Sequence, residues 1–398
     1  VLAFSKQEIF FNDIPLPEES ISFKELANIF NELEIDSIIF IPGIEFDEVA
    51  KFISLLVMDP SDISDGEGIQ KLFIKGNISH IKIIEKKADE KEKELEEHKE
   101  PGEIYKELVR LFSGVLESIS QNQTPGIHFL KSLIQELIES MEDDYKEMIR
   151  FAMQKNYSKY LTYHSINVMI LSICLGFHVG LNKSSLNLLG LSALFHDIGK
   201  TKIPQEIQFK NEKLTSQEWE TMKNHPLFGA EQILNLRSLN KVAMIVALEH
   251  HRGFDLSGYP SLSTKEKTHF FSRLVETVDT FEAITSRRPF RQAFTPPVAL
   301  QIMVEKKGGK LDPYLIKSFV EMMGLYPVGT LIELTTGEVG VVVSPNYNNF
   351  LLPTVKLILN SEGIKTEPRE INVARENISQ ILEPSLLKIN PTKFLQLQ

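Results

Sequence analysis

The sequence predicts a chain of three parts: a large all-α helical bundle, a small α/β domain before it and a short β-rich extension after it. Apolar residues recur at helical spacing almost throughout residues 103–325. After Tyr326 the apolar residues alternate with polar ones, as they do in β-strands. In residues 1–85, strand-like and helix-like segments follow one another, which favours an α/β domain. A chain of 398 residues has room for two or three domains.

The N-terminal domain, residues 1–85, contains four predicted elements. They are a helix at 22–33 that opens with a capping box, a strand at 37–41, a helix at 45–58 and a strand at 77–84. The sequence of this domain carries no catalytic constellation. We therefore expect it to regulate the protein or to dimerise it.

Residues 86–102 are predicted to form a charged linker. Almost every residue from 85 to 100 is charged, and Pro101-Gly102 ends the run. This composition is typical of a solvated segment, because too few apolar residues are present to form a packing face.

The helical domain, residues 103–325, is marked by apolar stripes and by a second capping box. One stripe consists of Leu130, Leu133, Ile134, Leu137 and Ile138. The capping box is formed by Thr215 and Glu218. The extension, residues 326–398, is predicted to contain a hairpin with strands at 330–335 and 338–343, then strands at 354–359 and 364–373.

The overall composition limits the partners and the compartment. The net charge of −11 argues against binding long nucleic acid through a broad basic surface. The single cysteine, Cys174, excludes a disulfide within one chain and fits a reducing cytoplasm. The most apolar window, residues 168–181, is too short to span a membrane, and the first residues lack the layout of a signal peptide. We therefore expect a cytoplasmic protein without a membrane partner.

Five histidines and two aspartates in the helical domain are candidate metal ligands. They are His164, His196, Asp197, His225, His250, His251 and Asp279. Each interval between them amounts to one long helix and a connection, so a bundle could bring them to one point. Imidazole and carboxylate together suit Fe, Mn or Zn better than Mg or Ca. A paired metal centre is typical of hydrolases, because it activates water and binds a phosphoryl oxygen.

Two motifs contain several of these residues. In LFHDIGK, residues 194–200, the neighbouring His196 and Asp197 would point to different sides of a helix, and Asp197 could bridge two ions. Gly199 could end that helix and allow Lys200 to turn over the site, where its charge would stabilise a phosphate. In EHHRGFDLSGYP, residues 249–260, a constrained Gly-Tyr-Pro loop would present Tyr259 to a ligand.

Together these motifs resemble the HD-GYP family, a subset of the HD-domain phosphohydrolases. The resemblance extends over HSINV at 164–168, HDIGK at 196–200, KLTSQE at 213–218, MKNHP at 222–226 and VDTFEAITSRRPFR at 278–291. The β-rich extension, with YPVGTLIEL and GEVGVVV, is also similar to the usual tail of this family. The resemblance implies an HD-type bundle of about seven helices.

The family hydrolyses cyclic di-GMP, a bacterial second messenger, to linear pGpG and sometimes to GMP. The resemblance implies two divalent ions, Fe or Mn. One would be held by His164, His196, Asp197 and Asp279, and the other by Asp197, His225, His250 and His251. A bridging hydroxide would attack the phosphorus, with Asp197 and Lys200 as catalytic residues. The positions that match family contacts to phosphate or guanine are Lys200, Tyr259, Arg288 and Arg291.

Four positions depart from the family pattern. Tyr160 stands where some members carry a glutamate that binds a third ion, so we expect two ions. Arg252 and Leu256 stand where glutamate and glycine are common, which bears on the shape of the loop and on substrate fit. Glu282 replaces a common aspartate, and we expect little consequence because the charge is kept.

Two other functions are consistent with the same motifs. One is hydrolysis of another cyclic dinucleotide, such as cyclic GMP-AMP. The other is a non-enzymatic, nucleotide-responsive receptor or scaffold; members of that kind usually lose metal ligands, whereas all seven candidates are present here. Beyond cyclic di-GMP, the expected partners are a second copy of the chain and signalling proteins such as diguanylate cyclases.

Overall fold

A computed structural model of the chain describes most of its residues. The described residues are 2–5, 8–11, 14–15, 35–41, 43–56, 78–85, 101–121, 123, 125–141, 145–153, 160–236, 239–262, 266–286, 293–344, 352–387 and 389–395. The chain divides into two compact units, Val1–Glu97 with Gly180–Ser185, and His98–Val179 with Leu186–Gln398.

The N-terminal unit contains a five-stranded sheet and one described helix. The strands are β1 Leu2–Ser5, β2 Glu8–Phe11, β3 Ile14–Pro15, β4 Ile35–Phe40 and β5 Ile81–Glu85, in the order β3-β2-β1-β4-β5. Every described pair of neighbouring strands is antiparallel. Helix α1, Phe46–Leu56, follows β4.

The structure confirms the predicted strand at 37–41 as β4, the helix predicted at 45–58 as α1 and the second half of the strand predicted at 77–84 as β5. The predicted α/β class needs correction, because the antiparallel pairing is that of an α+β sheet. Both the unpredicted hairpin of β1 and β2 and the pairing of the predicted strands β4 and β5 are antiparallel. The predicted helix at 22–33 and residues 86–100 of the predicted linker lie outside the described residues.

From residue 101 to residue 323 the described chain is helical. Its twelve α-helices are α2 Pro101–Ser120, α3 His128–Ser140, α4 Lys146–Ala152, α5 Tyr160–His178, α6 Lys183–Leu194, α7 Gln205–Gln208, α8 Ser216–Met222, α9 His225–Asn235, α10 Lys241–Glu249, α11 Phe270–Thr285, α12 Pro296–Glu305 and α13 Pro313–Met323. A 3-10 helix, Ile198–Lys202, lies between α6 and α7.

The expected number of about seven helices was too low, because local signals divide the helical pattern into shorter pieces. Prolines occupy the first turns of α9, α12 and α13, where the missing N–H costs nothing. The predicted capping box of Thr215 and Glu218 is confirmed and opens α8. Pro101, which was expected to end the linker, is instead the first residue of α2.

Helices α5 and α11 form the centre of the helical core. Fourteen residues of α5 are buried, so the helix has no exposed face, as expected for an element surrounded by others. Helix α5 packs against α2, α4, α11 and α13. Among the described helices, only α5 is long and apolar enough to cross a membrane by length and composition, and 78% of its most apolar window is buried within the fold. Cys174 is buried in this helix, and its Sγ lies 3.6 Å from the backbone carbonyl oxygen of Tyr145.

A second five-stranded antiparallel sheet follows the helices. Its strands are β6 Leu331–Leu334, β7 Val339–Ser344, β8 Thr354–Leu359, β9 Lys365–Asn372 and β10 Ile378–Leu382, in the order β10-β6-β7-β8-β9. The first four confirm the predicted strands. Strand β10 was not predicted; it pairs with β6, far from it in sequence. The short helix α14, Pro384–Leu387, and a 3-10 turn, Pro391–Phe394, come after it.

Candidate metal centre

The seven candidate ligands lie at helix ends and on one helix face. His164 is the fifth residue of α5, His196 and Asp197 follow α6, His225 begins α9, His250 and His251 follow α10, and Asp279 is within α11. Six of the seven are buried, and His251 is half-buried. The fold therefore brings together residues that span more than a hundred positions of the sequence.

Asp197 lies at the centre of this cluster. Its Oδ2 is 3.2 Å from Nε2 of His164 and 3.3 Å from Nε2 of His196. Its Oδ1 is 3.3 Å from Nε2 of His225 and 3.5 Å from Nε2 of His250. One carboxylate thus divides the histidines into two sets, one on each oxygen, which is the arrangement of a ligand shared by two cations.

The ligand atoms form two groups compatible with metal binding. Within each group the atoms lie within 4.8 Å of one another: the first contains His164, His196 and Asp197, and the second Asp197, His225, His250 and His251. Asp279 adjoins the first group, since its Oδ1 is 3.3 Å from Nε2 of His164. The chemistry of these donors is that of a divalent metal site.

Backbone carbonyls orient three of the imidazoles. The Nδ1 atoms donate to carbonyl oxygens one turn earlier, at 2.6 Å for His196 to Ala193, 2.8 Å for His225 to Met222 and 2.9 Å for His250 to Ala247. Each of these rings therefore presents the lone pair of Nε2 to Asp197.

Two features of the cluster fit a bound cation beside these atoms. The Nε2 atoms of His225 and His250 are only 3.2 Å apart, although both Nδ1 atoms already carry the donated proton. Two lone pairs at this distance repel unless a positive charge lies beside them. In addition, Nε2 of His164, Nε2 of His196 and Oδ1 of Asp197 are buried without a hydrogen-bond partner among the described residues. Buried polar atoms of this kind require an explanation, and a coordinated ion supplies one.

The electrostatics keep the carboxylates ionised. Burial alone would raise the pKa of Asp197, but Lys200 and His196 lower it well below its ordinary value. Burial also opposes ionisation of Asp279, whose pKa is nevertheless held well below its usual range by His164. Both aspartates are therefore in the form that binds a cation.

The histidines fall into two classes. Burial lowers the pKa of His250 to about 4, and burial together with His250 and His225 lowers the pKa of His251 well below its ordinary value. These rings are neutral, as ligands must be. Burial acts to lower the pKa of His164, but Tyr160 and Glu282 raise this pKa well above its ordinary value. A cation at this ring has to compete with a proton.

Lys200 lies at the border between the cluster and solvent. Its Nζ contacts Oδ2 of Asp197, and 20% of its side chain is exposed, compared with 1% for Asp197.

Two expectations about the end of α6 need correction. Helix α6 ends at Leu194, so His196 and Asp197 lie in a turn rather than on a helix, and Gly199 does not end the helix.

Gly199 instead permits a close approach of two backbones. A Cβ at this position would lie 1.9 Å from the carbonyl oxygen of His225 and 2.4 Å from the backbone nitrogen of Gly229. The 3-10 helix that carries Lys200 can therefore touch the start of α9 only with glycine here. This contact sets the distance between Asp197 and His225.

The Gly-Tyr-Pro segment lies against the second group of ligands. The ring of Tyr259 is 4.7 Å from that of His251 and 6.1 Å from that of His225, measured between centroids. Gly258 has φ of 94°, and a Cβ there would lie 2.1 Å from the carbonyl oxygen of His251. Tyr259 is half-buried.

One family model matches the part of the chain that contains this site. Residues 143–315 match the family model described as an HD domain, and they contain all seven candidate ligands and the Gly-Tyr-Pro segment. This segment of the chain is therefore similar to HD domains.

Several curated relatives of this chain are named as cyclic dinucleotide phosphodiesterases. A cyclic di-GMP phosphodiesterase of Pseudomonas aeruginosa is 31% identical over 239 residues, which are 60% of this chain and 58% of the relative. A cyclic di-GMP phosphodiesterase response regulator of Xanthomonas campestris is 32% identical over 143 residues, which are 36% of this chain and 38% of the relative. A 3'3'-cGAMP-specific phosphodiesterase of Vibrio cholerae is 32% identical over 144 residues, which are 36% of this chain and 27% of the relative. The chain thus spans less than two thirds of these relatives.

Glu282 makes a contact with the candidate metal centre that was not predicted from the sequence. Glu282 Oε2 accepts a hydrogen bond of 2.6 Å from Nδ1 of His164, and its Oε1 accepts one of 2.8 Å from Oγ of Ser286. The signal was present in the sequence, because Glu282 follows Asp279 by three positions and shares its helix face. Glu282 therefore orients a candidate ligand, and the expectation that its replacement of aspartate has little consequence stays a prediction.

The departures from the HD-GYP pattern have a structural counterpart. Tyr160 stacks on His164 with ring centroids 5.4 Å apart and planes 8° apart. Leu256, where glycine is common, has φ of 65°, a left-handed conformation that disfavours leucine. Arg252 is buried, and its backbone pairs with Gly258 to close the loop. Arg288 and Arg291 lie outside the described residues.

Proposed function

We propose that this chain is a metal-dependent phosphodiesterase that hydrolyses cyclic di-GMP to pGpG and onward to GMP. The observation that carries the proposal is the position of Asp197, whose two oxygens each face a separate pair of histidine Nε2 atoms at 3.2–3.5 Å. The names of the curated relatives supply the substrate class.

Two divalent ions, Fe or Mn, are the proposed cofactors. His164, His196 and Asp279 would hold one ion, His225, His250 and His251 the other, and Asp197 both. Mixed imidazole and carboxylate donors favour Fe and Mn over Mg and Ca. When bound, such a pair supplies a nucleophile from water at neutral pH and neutralises charge on the phosphoryl group.

The side chains around the ligands would bind and orient the phosphodiester. The amine of Lys200, at the solvent border of the cluster, would balance the negative charge that develops on phosphorus oxygens. Tyr259 would contact the substrate on the side of His251. Arg288 and Arg291, which follow α11 in sequence, are proposed contacts for phosphate or guanine.

Hydrolysis of 3'3'-cGAMP is the second candidate function. A Vibrio relative named for that substrate is 32% identical over 144 residues, as the Xanthomonas relative named for cyclic di-GMP is over 143 residues. Arg252 and Leu256 alter the loop that would border the substrate, so a changed substrate preference would arise in this loop.

The proposed protein partners are a second copy of the chain and signalling proteins such as diguanylate cyclases. The proposed compartment is the cytoplasm.

A direct assay tests the proposal. The chain is purified anaerobically, loaded with Fe²⁺ or Mn²⁺, and incubated in parallel with cyclic di-GMP and 3'3'-cGAMP, and the products are separated by chromatography. We expect turnover of cyclic di-GMP to pGpG and GMP, and its loss in Asp197→Asn, which keeps the side-chain shape. Absence of turnover of both dinucleotides by folded, metal-loaded protein would contradict the proposal.

A further inference from the structure

We propose that Trp219 forms the outer wall of a nucleobase-binding subsite, where a base of the cyclic dinucleotide stacks on its indole ring. The inference rests on the proposed function and extends it to a residue outside the metal ligands and the Gly-Tyr-Pro motif. It concerns binding of the base rather than the chemistry at phosphorus.

The indole ring adjoins the site through Tyr259. The ring centroids of Trp219 and Tyr259 are 6.0 Å apart and their planes are 80° apart, an edge-to-face pair. Tyr259 in turn contacts His251 and His225. The aromatic side chains therefore form a continuous surface that starts at the ligands of the second group and ends at Trp219.

Much of this tryptophan is open to solvent. Trp219 is 45% exposed, whereas a large aromatic side chain is normally buried to a greater extent. Sites that bind single-stranded nucleotides combine an exposed aromatic side chain with a polar centre that binds phosphate. There the protein binds the phosphate through charge and the base through stacking.

Helix α8 fixes the indole relative to the metal ligands. The capping box of Thr215 and Glu218 closes the first turn of α8, and Lys210 Nζ lies 2.7 Å from Oε2 of Glu218. At the other end, the carbonyl of Met222 accepts the hydrogen bond that orients His225. One short helix thus carries the indole and positions a ligand, so the subsite and the metal centre have a fixed separation.

Stacking explains why an indole suits this place. Every base has an aromatic face, so a stacking wall binds guanine or adenine without reading hydrogen-bond donors and acceptors. The subsite would therefore strengthen binding of cyclic di-GMP and of 3'3'-cGAMP alike. The choice between them would rest on other residues of the loop.

Steady-state kinetics test the role of the ring. Trp219→Leu removes the aromatic face and keeps apolar volume, and Trp219→Phe keeps a smaller aromatic face. We expect Trp219→Leu to raise KM for cyclic di-GMP about tenfold with kcat nearly unchanged, and Trp219→Phe to recover most of the loss. The matched control is Phe209→Leu at an exposed aromatic of the same domain, for which we expect an unchanged KM.

Fluorescence provides a readout that is independent of turnover, because Trp219 is the single tryptophan of the chain. Titration of metal-loaded protein with a non-hydrolysable phosphorothioate analogue of cyclic di-GMP should quench its emission in a saturable manner. The proposed function fails if wild-type protein neither binds nor hydrolyses a cyclic dinucleotide, and this inference fails with it.

The inference alone is overturned if wild-type protein hydrolyses cyclic di-GMP but its emission stays constant at saturation and Trp219→Leu has the wild-type KM. The same conclusion follows if Trp219→Leu leaves KM unchanged and alters only the oligomeric state in sedimentation, since Trp219 would then be a contact between subunits. Melting curves of each variant establish that it is folded.

Discussion

The imidazole of His164 donates a hydrogen bond of 2.6 Å from Nδ1 to Oε2 of Glu282. On the opposite side of the same ring, Nε2 lies 3.2 Å from Asp197 and 3.3 Å from Asp279. Helix α11 therefore supplies a carboxylate to each edge of this imidazole. Such carboxylate–histidine pairs fix the orientation of a metal-binding ring and increase its basicity.

Removing the charge of Glu282 should weaken metal binding. We expect Glu282→Gln to lower the affinity of one Mn²⁺ site by about 10- to 100-fold, measured by competition with a chromophoric chelator. Glu282→Asp should retain more affinity, because the charge remains. Glu231→Gln, at an exposed position of α9, is the control and should not change the affinity. Equal affinities for Glu282→Gln and wild type would refute the orienting role.

Metal content should distinguish a shared ligand from an unshared one. Asp197 faces both sets of histidines, whereas His225 faces one set. We expect Asp197→Ala to lose nearly all bound metal and His225→Ala to lose about half, in protein made anaerobically and analysed by inductively coupled plasma mass spectrometry. Retention of full metal content by Asp197→Ala would exclude the bridge, and circular dichroism shows whether each variant is folded.

A methyl group at Gly199 should disturb the site and the fold together. Because the added Cβ would meet the backbone of His225 at 1.9 Å, α9 must move. We expect Gly199→Ala to lower the free energy of unfolding by roughly 1–3 kcal/mol and to reduce kcat/KM. Gly114→Ala is a matched control, since Gly114 lies within α2 with nothing within 4 Å of its Cβ. That change should stabilise by about 0.5–1 kcal/mol; the opposite order of melting temperatures would contradict the packing argument.

Glu276 should make stability depend on pH. This residue of α11 is 2% exposed, its Oε1 is 3.5 Å from Nζ of Lys310, and burial raises its pKa from 4.5 to about 8. Between these two values the folded state keeps a proton that the unfolded state releases, so stability falls as pH rises.

We therefore expect Glu276→Gln to reduce the loss of stability between pH 6 and pH 8, measured by urea unfolding at each pH. The difference should be at most about 1.4 kcal/mol per pH unit. Glu212→Gln, at an exposed position, should keep the wild-type dependence. Parallel curves for wild type and Glu276→Gln would show that Glu276 is ionised in the folded chain at neutral pH.

The candidate ligands could be predicted from the sequence because their residue types are unusual in a core. Adjacent histidines at 250 and 251 and the His-Asp pair at 196 have little packing value, so their presence between apolar helices indicates a site. The supporting hydrogen bonds could not be predicted in the same way. The carbonyls of Ala193 and Met222 act through backbone atoms that any residue carries.

The elements that escaped prediction depend on distant parts of the chain. Strand β10 forms by pairing with the edge of β6. The residues of β10 are half-buried or exposed, so the apolar pattern of this strand is weak. Helix α6 ends at Leu194 because the 3-10 helix that follows it packs against α9, a segment more distant in the sequence. Local periodicity contains neither kind of information.

The loop that holds Tyr259 has its conformation imposed by another segment of the chain. Leu256 keeps φ of 65° while Phe254 and Asp255 donate backbone hydrogen bonds to Lys310 and Gly309, at 2.8 and 3.1 Å. Substitutions in the turn between α12 and α13 can therefore reshape the loop beside Tyr259 without altering any candidate ligand. Under the proposed function, changes in that remote turn would be an evolutionary route to a new nucleotide preference in which the candidate metal ligands are preserved.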